Sequence, residues 1–220
     1  MSRPIAVLRP EPGNRVTAIA IEAQGHRTIR LPLFETRPVD WQVPESSGYD
    51  ALVVTSANAF RHGGPGLVRL LDLPVWAVGT ATAEAARRNG FAVAGTGDAG
   101  SARLLAMAEA AGVRRALHLA GRERTVEPGG IVADILTVYA SEPREIAPEA
   151  AAQLDGAILL VQSARAGQRV GELVADKAHT MLVAVSDGAA EAAGGGWEQV
   201  VVPGGVTGTA LVDAAIALAD

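Results

Sequence analysis

Seven short stretches of this sequence have the residue types to hold an anion without lysine or metal. They are Arg9-Pro10, Thr55-Ser56-Ala57-Asn58, Gly79-Thr80-Ala81-Thr82, Gly121-Arg122-Glu123-Arg124-Thr125, Gln162-Ser163-Ala164, Ser186-Asp187-Gly188 and Gly204-Gly205-Val206-Thr207-Gly208-Thr209. Each follows a short apolar run, and most precede an alanine-rich helical pattern. Backbone N–H groups at a helix N-terminus, together with the positive end of the helix dipole, bind carboxylate or phosphate. The same residue types are also the preferred N-caps, each contributing about 1 kcal/mol to stability with no ligand involved. Type alone therefore decides no single position; several such ends on one rim favour binding for the set.

Other chemistry is sparse. Tyr139, one of two tyrosines, sits in an extended stretch where a phenol could act as donor or weak acid. The competing reading is packing, with Trp41 as a neighbour, because buried tyrosines pair their hydroxyls for structural reasons. Without cysteine there is no thiol nucleophile, disulfide framework or thiolate metal site. His26, His62, His118 and His179 show no metal-ligand spacing; His118 reads as a core side chain in a strand, the other three as exposed. No G-x-S-x-G elbow is present, and the glycines at 204–208 lack the spacing of either common phosphate loop. Neither a metal nor a cofactor is expected.

Charge narrows the partners. The formal net charge is −5, and the basic residues are eighteen arginines and one lysine, Lys177. Arg87-Arg88 and Arg114-Arg115 are the only adjacent pairs, so no basic stripe exists and nucleic acid is not expected as a partner. The chain has no uncharged apolar run of about 18 residues, which argues against a membrane span. The short apolar run at the start is broken by Arg9 and reads as a buried strand rather than a signal peptide. A cytoplasmic location follows as the expectation.

These stretches need positioning, and the chain describes its scaffold twice. Leu52-Val53-Val54-Thr55-Ser56-Ala57 returns as Leu159-Leu160-Val161-Gln162-Ser163-Ala164, about 107 residues on. Val75-Trp76-Ala77-Val78-Gly79 returns as Leu182-Val183-Ala184-Val185-Ser186 at the same offset. Such a period is too long for a solenoid and indicates two copies of one α/β domain. Strands are expected at 5–8, 51–55, 75–78, 91–94, 114–119, 157–161, 181–185 and 199–202. Helices are expected at 17–24, 57–71, 82–89, 101–111, 164–174, 188–193 and 207–219. Alternation of this kind makes parallel sheets with helices on both faces. The second half lacks a first strand, which Ile5–Leu8 supplies. One domain is then discontinuous, 1–35 plus 143–220, with 36–142 inserted. Extended crossings at about 28–39 and 135–143 would form a two-stranded connector between similar flavodoxin-like domains.

In this order the motifs resemble uroporphyrinogen-III synthase over nearly the whole chain. The resemblance rests on Leu8-Arg9-Pro10, Val54-Thr55-Ser56-Ala57-Asn58-Ala59 and Val75-Trp76-Ala77-Val78-Gly79-Thr80-Ala81-Thr82-Ala83. It continues through Leu119-Ala120-Gly121-Arg122-Glu123, Val138-Tyr139, Ile158 to Ala166, and Val183-Ala184-Val185-Ser186. It implies a cofactor-free lyase of haem and other tetrapyrrole synthesis that cyclises hydroxymethylbilane to uroporphyrinogen III, losing water and inverting ring D. The polyanionic substrate carries eight carboxylates. The implied substrate-binding residues are Arg9, Thr55, Ser56, Ala57, Asn58, Gly79, Thr80, Ala81, Gly121, Arg122, Ser163, Ala164, Ser186 and Thr207. Tyr139 aligns with the family's tyrosine near the departing hydroxyl, a candidate proton donor. The resemblance also suggests a monomer, with transient contact to the preceding pathway enzyme. One departure stands out: Glu127-Pro128-Gly129-Gly130 leaves little room for the helix that normally precedes the tyrosine strand. The alternative reading is a two-domain anion-binding or sensor protein that binds ligand without converting it.

Overall fold

A computed structural model describes residues 2–98, 100–204 and 208–220. In chain order the first elements are β1 (Ile5–Val7), α1 (Gly13–Glu22), β2 (Thr28–Arg30) and β3 (Phe34–Pro38). Next come β4 (Ala51–Val54), α2 (Asn58–His62), β5 (Val75–Val78), α3 (Thr80–Arg88), β6 (Val93–Gly97) and α4 (Ser101–Ala110). Then follow β7 (Ala116–Gly121), β8 (Val132–Pro143), α5 (Pro148–Ala151), β9 (Ile158–Val161) and α6 (Ala164–Leu173). The last are β10 (Met181–Ala184), α7 (Asp187–Ala192), β11 (Gln199–Val201) and α8 (Gly208–Ala219).

The chain divides into two compact units, residues 1–35 with 143–220, and residues 36–142. The first contains a five-stranded sheet in the order β11-β10-β9-β1-β2, with every pairing parallel. Counted along that unit's own chain this is the 2-1-3-4-5 order of flavodoxin-like folds. The second sheet runs β3-β8-β7-β4-β5-β6. Its strands β6-β5-β4-β7-β8 trace the same spatial order as β11-β10-β9-β1-β2, with the chain opened at a different point. Strands β9, β10 and β11 of the first unit thus correspond to β4, β5 and β6, while β1 and β2 take the places of β7 and β8. The duplicated sequence and the circular shift describe one architecture used twice.

The central strands are apolar, His118 of β7 excepted, because helices cover both faces of the sheet. All four residues of β4 and of β9, and all six of β7, are buried. Side chains alternate between faces with period two. Ile5, Val7, Ile158 and Leu160 join one cluster with Ile21, Leu211 and Ala215, whereas Ala6, Leu8, Leu159 and Val161 join the other with Val170 and Ala189. In the second unit Leu52 and Val54 enter a cluster around Phe60, Leu70 and Leu119, while Ala51 and Val53 face Trp76 and Leu104.

Several boundaries differ from the sequence expectation. Helix α1 begins at Gly13, not residue 17, and the expected 57–71 helix divides at Gly63-Gly64 into α2 and a 3₁₀ stretch, Gly64–Leu70. Strand β6 lies at 93–97, not 91–94, and α5 was not anticipated. Residues 122–131, between β7 and β8, contain no helix. A parallel crossover of ten residues is short, and it leaves the carboxyl end of β7 directly against β8.

Candidate active site

In an open parallel sheet the ligand-binding edge is the one formed by the carboxyl ends of the strands. Each unit presents its candidate residues along that edge. They fall into three groups: helix ends left open by glycine, helix ends closed by serine, and side chains that bring a proton or a charge.

Gly79, after β5, is the N-cap of α3, with φ +78° and ψ 151°. That combination is essentially reserved for glycine. Its carbonyl accepts from the N–H groups of Thr82 and Ala83, both at 3.2 Å. The N–H groups of Thr80 and Ala81 precede any intrahelical partner, and both residues are exposed. A Cβ added at Gly79 would meet nothing within 4 Å, so the space beside this N-cap is open. Helix α4 begins in the same way at Gly100, with φ +87° and no side-chain cap. After β4, by contrast, the groups are occupied locally. Ser56 Oγ accepts from Asn58 N–H at 3.3 Å, and Asn58 Oδ1 accepts from the Arg61 guanidinium at 2.8 Å. Thr55 is half-buried beside them and Ala57 is buried.

At the carboxyl end of β7, Gly121 pairs in register with Tyr139 of β8. The Tyr139 ring lies directly over Gly121: a Cβ there would stand 2.7 Å from Cζ and 2.9 Å from the phenol oxygen. The ring also meets the imidazole of His62, centroid to centroid 6.0 Å at 33°. Tyr139 is half-buried, and the Arg122 N–H bonds its carbonyl at 2.9 Å. The Arg122 guanidinium extends to Glu142 at 2.5 Å and is exposed. Trp41 is engaged elsewhere, donating its indole N–H to the Gly63 carbonyl at 2.9 Å.

In the first unit the serines act as caps. Ser163 Oγ accepts from Ala166 N–H at 3.2 Å, opening α6, and Ser186 Oγ accepts from Ala189 N–H at 3.3 Å, opening α7. Ala164 is exposed behind Ser163. Thr207 lies outside the described residues. The distinctive group here is Arg9. Its guanidinium rests against the first residue of α1, where a Cβ on Gly13 would fall 2.5 Å from Nε. It lines a cavity of about 200 Å³ with Gln162, Val185, Gly208 and Leu211. Surrounding packing lowers its pKa from the ordinary arginine value, yet it stays charged at neutral pH. Among the described residues no carboxylate lies within ion-pair distance of it.

The histidines divide differently from the sequence expectation. Only His179 is well exposed, with its pKa raised by the Asp176 carboxylate. His26 is 10% exposed, and its Nε2 lies 3.6 Å from Asp220 Oδ1. His62 is half-buried, shares a hydrogen bond with Thr36 Oγ1 at 2.9 Å, and has its pKa lowered by desolvation and then by Arg61. His118 is fully buried, with Nδ1 2.9 Å from the Val53 carbonyl and Nε2 without a partner. Among the described residues no group of three or more histidines and carboxylates could hold a metal ion, and no helix is long and apolar enough to cross a membrane.

Sequence reasoning had no signal for His62 beyond its type, because Thr36 and Tyr139 reach it only through the fold. The open amides at Gly100 were missed too, though a glycine before an alanine-rich helix was visible there.

Comparison with known proteins gives one consistent answer. The family description "HEM4: Uroporphyrinogen-III synthase HemD" matches residues 15–213. A uroporphyrinogen-III synthetase structure from Helicobacter pylori is similar, with a TM-score of 0.69 and 16% identity, covering 99% of this chain and 100% of that one. A mutant uroporphyrinogen III synthase from the extremely thermophilic bacterium Thermus thermophilus has a TM-score of 0.50 and 18% identity, covering 99% of each chain. At those identities the structures speak to the fold. No curated protein sequence matches.

Proposed function

The chain belongs to the uroporphyrinogen-III synthase family, cyclising lyases of tetrapyrrole biosynthesis, and we propose how its own residues carry out that reaction. The observation that carries the functional reading is the family match across residues 15–213. The geometry adds the parts. Open first-turn amides at Thr80, Ala81 and the start of α4 bind substrate carboxylates in the second unit, and Arg9 binds one in the first. This supplies short-range attraction in a protein whose net charge of −5 does nothing to draw in a polyanion.

In this reading Tyr139 supplies the proton. As the C–O bond of the terminal hydroxymethyl group breaks, the pyrrole nitrogen pushes its electron pair towards the vacated carbon. The phenol gives its proton to the departing hydroxyl, which leaves as water. The substituted carbon of ring D attacks, the spiro intermediate opens and recloses, and the proton released on rearomatisation restores the phenol. Hydroxymethylbilane also closes unaided to the uninverted isomer, so the protein's main task is orientation, an effect that can reach about 7–11 kcal/mol. A placed acid adds about 10²–10⁴-fold.

The reading extends to a cofactor-free, cytoplasmic monomer in transient contact with the enzyme that supplies the bilane. It treats 1–35 with 143–220 as one domain and 36–142 as the other. The test mixes purified protein with freshly generated hydroxymethylbilane, oxidises the products and separates the isomers. Predominant type III supports the proposal. Predominant type I overturns it, and tight binding without conversion favours an anion sensor.

A further inference from the structure

Tyr139 is held by more than its own strand. Gly121 provides a bare stretch of main chain under the ring, close enough that even a methyl group would collide with it. His62, the last residue of α2, supplies a second contact through a tilted ring pair at 6.0 Å. The imidazole is itself tethered, because its Nε2 shares a hydrogen bond with Thr36 Oγ1 at 2.9 Å. A tyrosine side chain has only a few staggered wells available. Main chain on one side and a fixed imidazole on another limit which of them the phenol occupies.

We propose that His62 is a positioning residue: tethered to Thr36 and packed on Tyr139, it fixes the phenol at the carboxyl end of β7. The proposal rests on the reading of Tyr139 as proton donor, and it assigns His62 no contact with the reacting atoms. Desolvation keeps the imidazole neutral at pH 7, so His62 acts as a wall rather than as a second cation for substrate. It also gives the Thr36 hydroxyl a part, as the hydrogen-bond partner of the imidazole.

Two measurements test it on the full chain. In tyrosine-labelled protein only Tyr49 and Tyr139 give ring signals, and Tyr139→Phe assigns them. His62→Ala should shift the Tyr139 ring resonances and leave those of Tyr49 in place, while His62→Phe, which keeps a ring there, should shift them less. In the cyclisation assay His62→Ala should lower kcat about tenfold with KM within about twofold, His62→Phe should recover part of the loss, and His62→Ala should add nothing to Tyr139→Phe. Unmoved Tyr139 resonances overturn the contact. Additive losses, or a His62→Ala loss where Tyr139→Phe is silent, overturn positioning through Tyr139. Full turnover in Tyr139→Phe by itself removes the donor role and therefore the proposal. Unfolding midpoints of both His62 variants identify any loss that comes from misfolding.

Discussion

Replacing Gly121 by alanine tests the proton-donor geometry with a single methyl group. The backbone at Gly121 is not in the left-handed region, so alanine adopts it without strain. The added Cβ would sit 2.7 Å from Tyr139 Cζ, 2.8 Å from Cε2 and 2.9 Å from the hydroxyl oxygen. Ordinary contact begins at 3.4 Å, so the ring must retreat by at least about 0.7 Å. The main chain between these points is held by the β7–β8 pairing, which runs from Ala116 to Gly121 with a register shift just before Gly121. The phenol, at the end of its side chain, is the group that moves, away from Gly121 and against the His62 ring. Two consequences separate. Stability should fall by no more than about 1 kcal/mol, since the gain from restricting the unfolded chain, about 0.4–1 kcal/mol, offsets the displaced ring. Turnover should fall much further: a misplacement of about 1 Å can cost about 10²-fold, or about 2.7 kcal/mol of barrier. KM should stay within about threefold, because the α3 and α4 amides proposed to bind carboxylate are untouched.

The assay is initial-rate conversion of fresh hydroxymethylbilane with isomer separation, run beside urea unfolding. Gly121→Ala should match Tyr139→Phe in kcat, and the double variant should be no worse than either. Turnover within about threefold of wild type, in a protein that unfolds at the normal midpoint, would refute the placement of Tyr139 at the reacting hydroxyl. A loss of turnover that follows a loss of several kcal/mol in stability would make Gly121 a packing residue only.

Two other perturbations probe charge. Arg9→Met keeps the apolar stem but removes a cation with no carboxylate partner among the described residues, so stability should hold or rise slightly. The lost charge-assisted hydrogen bond, about 1.5–3 kcal/mol, should raise KM about tenfold or more with kcat little changed; an unchanged KM removes Arg9 from the site. His118 predicts an acid limb in stability. Burial lowers its pKa in the folded state below 6.5, so the unfolded chain binds the extra proton first, and stability declines as pH falls from about 6.5 towards the folded value. Urea midpoints between pH 7.5 and 5 should show this slope, reduced in His118→Gln; identical profiles would mean that other groups carry it.

The strands were readable because a sheet covered on both faces is apolar at its centre, with His118 of β7 the exception. Val75–Val78 falls where the sequence placed it, and Ala51–Val54 and Ile158–Val161 differ from expectation by one residue at one end. The helix starts were harder. Helix α1 opens at Gly13 without a side-chain cap, directly after Pro10 and Pro12, where proline reads as a break. The 57–71 helix divides because Gly64 takes φ +65° just after α2, a local event inside an otherwise helical pattern. The missing helix in 122–131 was legible from Glu127-Pro128-Gly129-Gly130. Its consequence, the tyrosine ring lying on Gly121, was not, because a contact between two strands depends on register.

The duplication explains why residue type could not separate caps from binding groups. Gly79 and Ser186 occupy the same position in the two copies, each between a buried strand and a helix. Ser186 turns its hydroxyl onto the amide of Ala189, which also bonds the Ser186 carbonyl at 3.0 Å. Gly79 has no hydroxyl, adopts a backbone that serine would resist, and leaves the first turn of α3 open. At this position, therefore, the two copies differ in one hydroxyl and in backbone conformation, while the first two amides of the helix precede any intrahelical partner in both. Ser163 repeats the pattern in the first unit, and Gly100 repeats it in the second. In the proposed reading, the first unit draws on Arg9, which has no partnering carboxylate among the described residues.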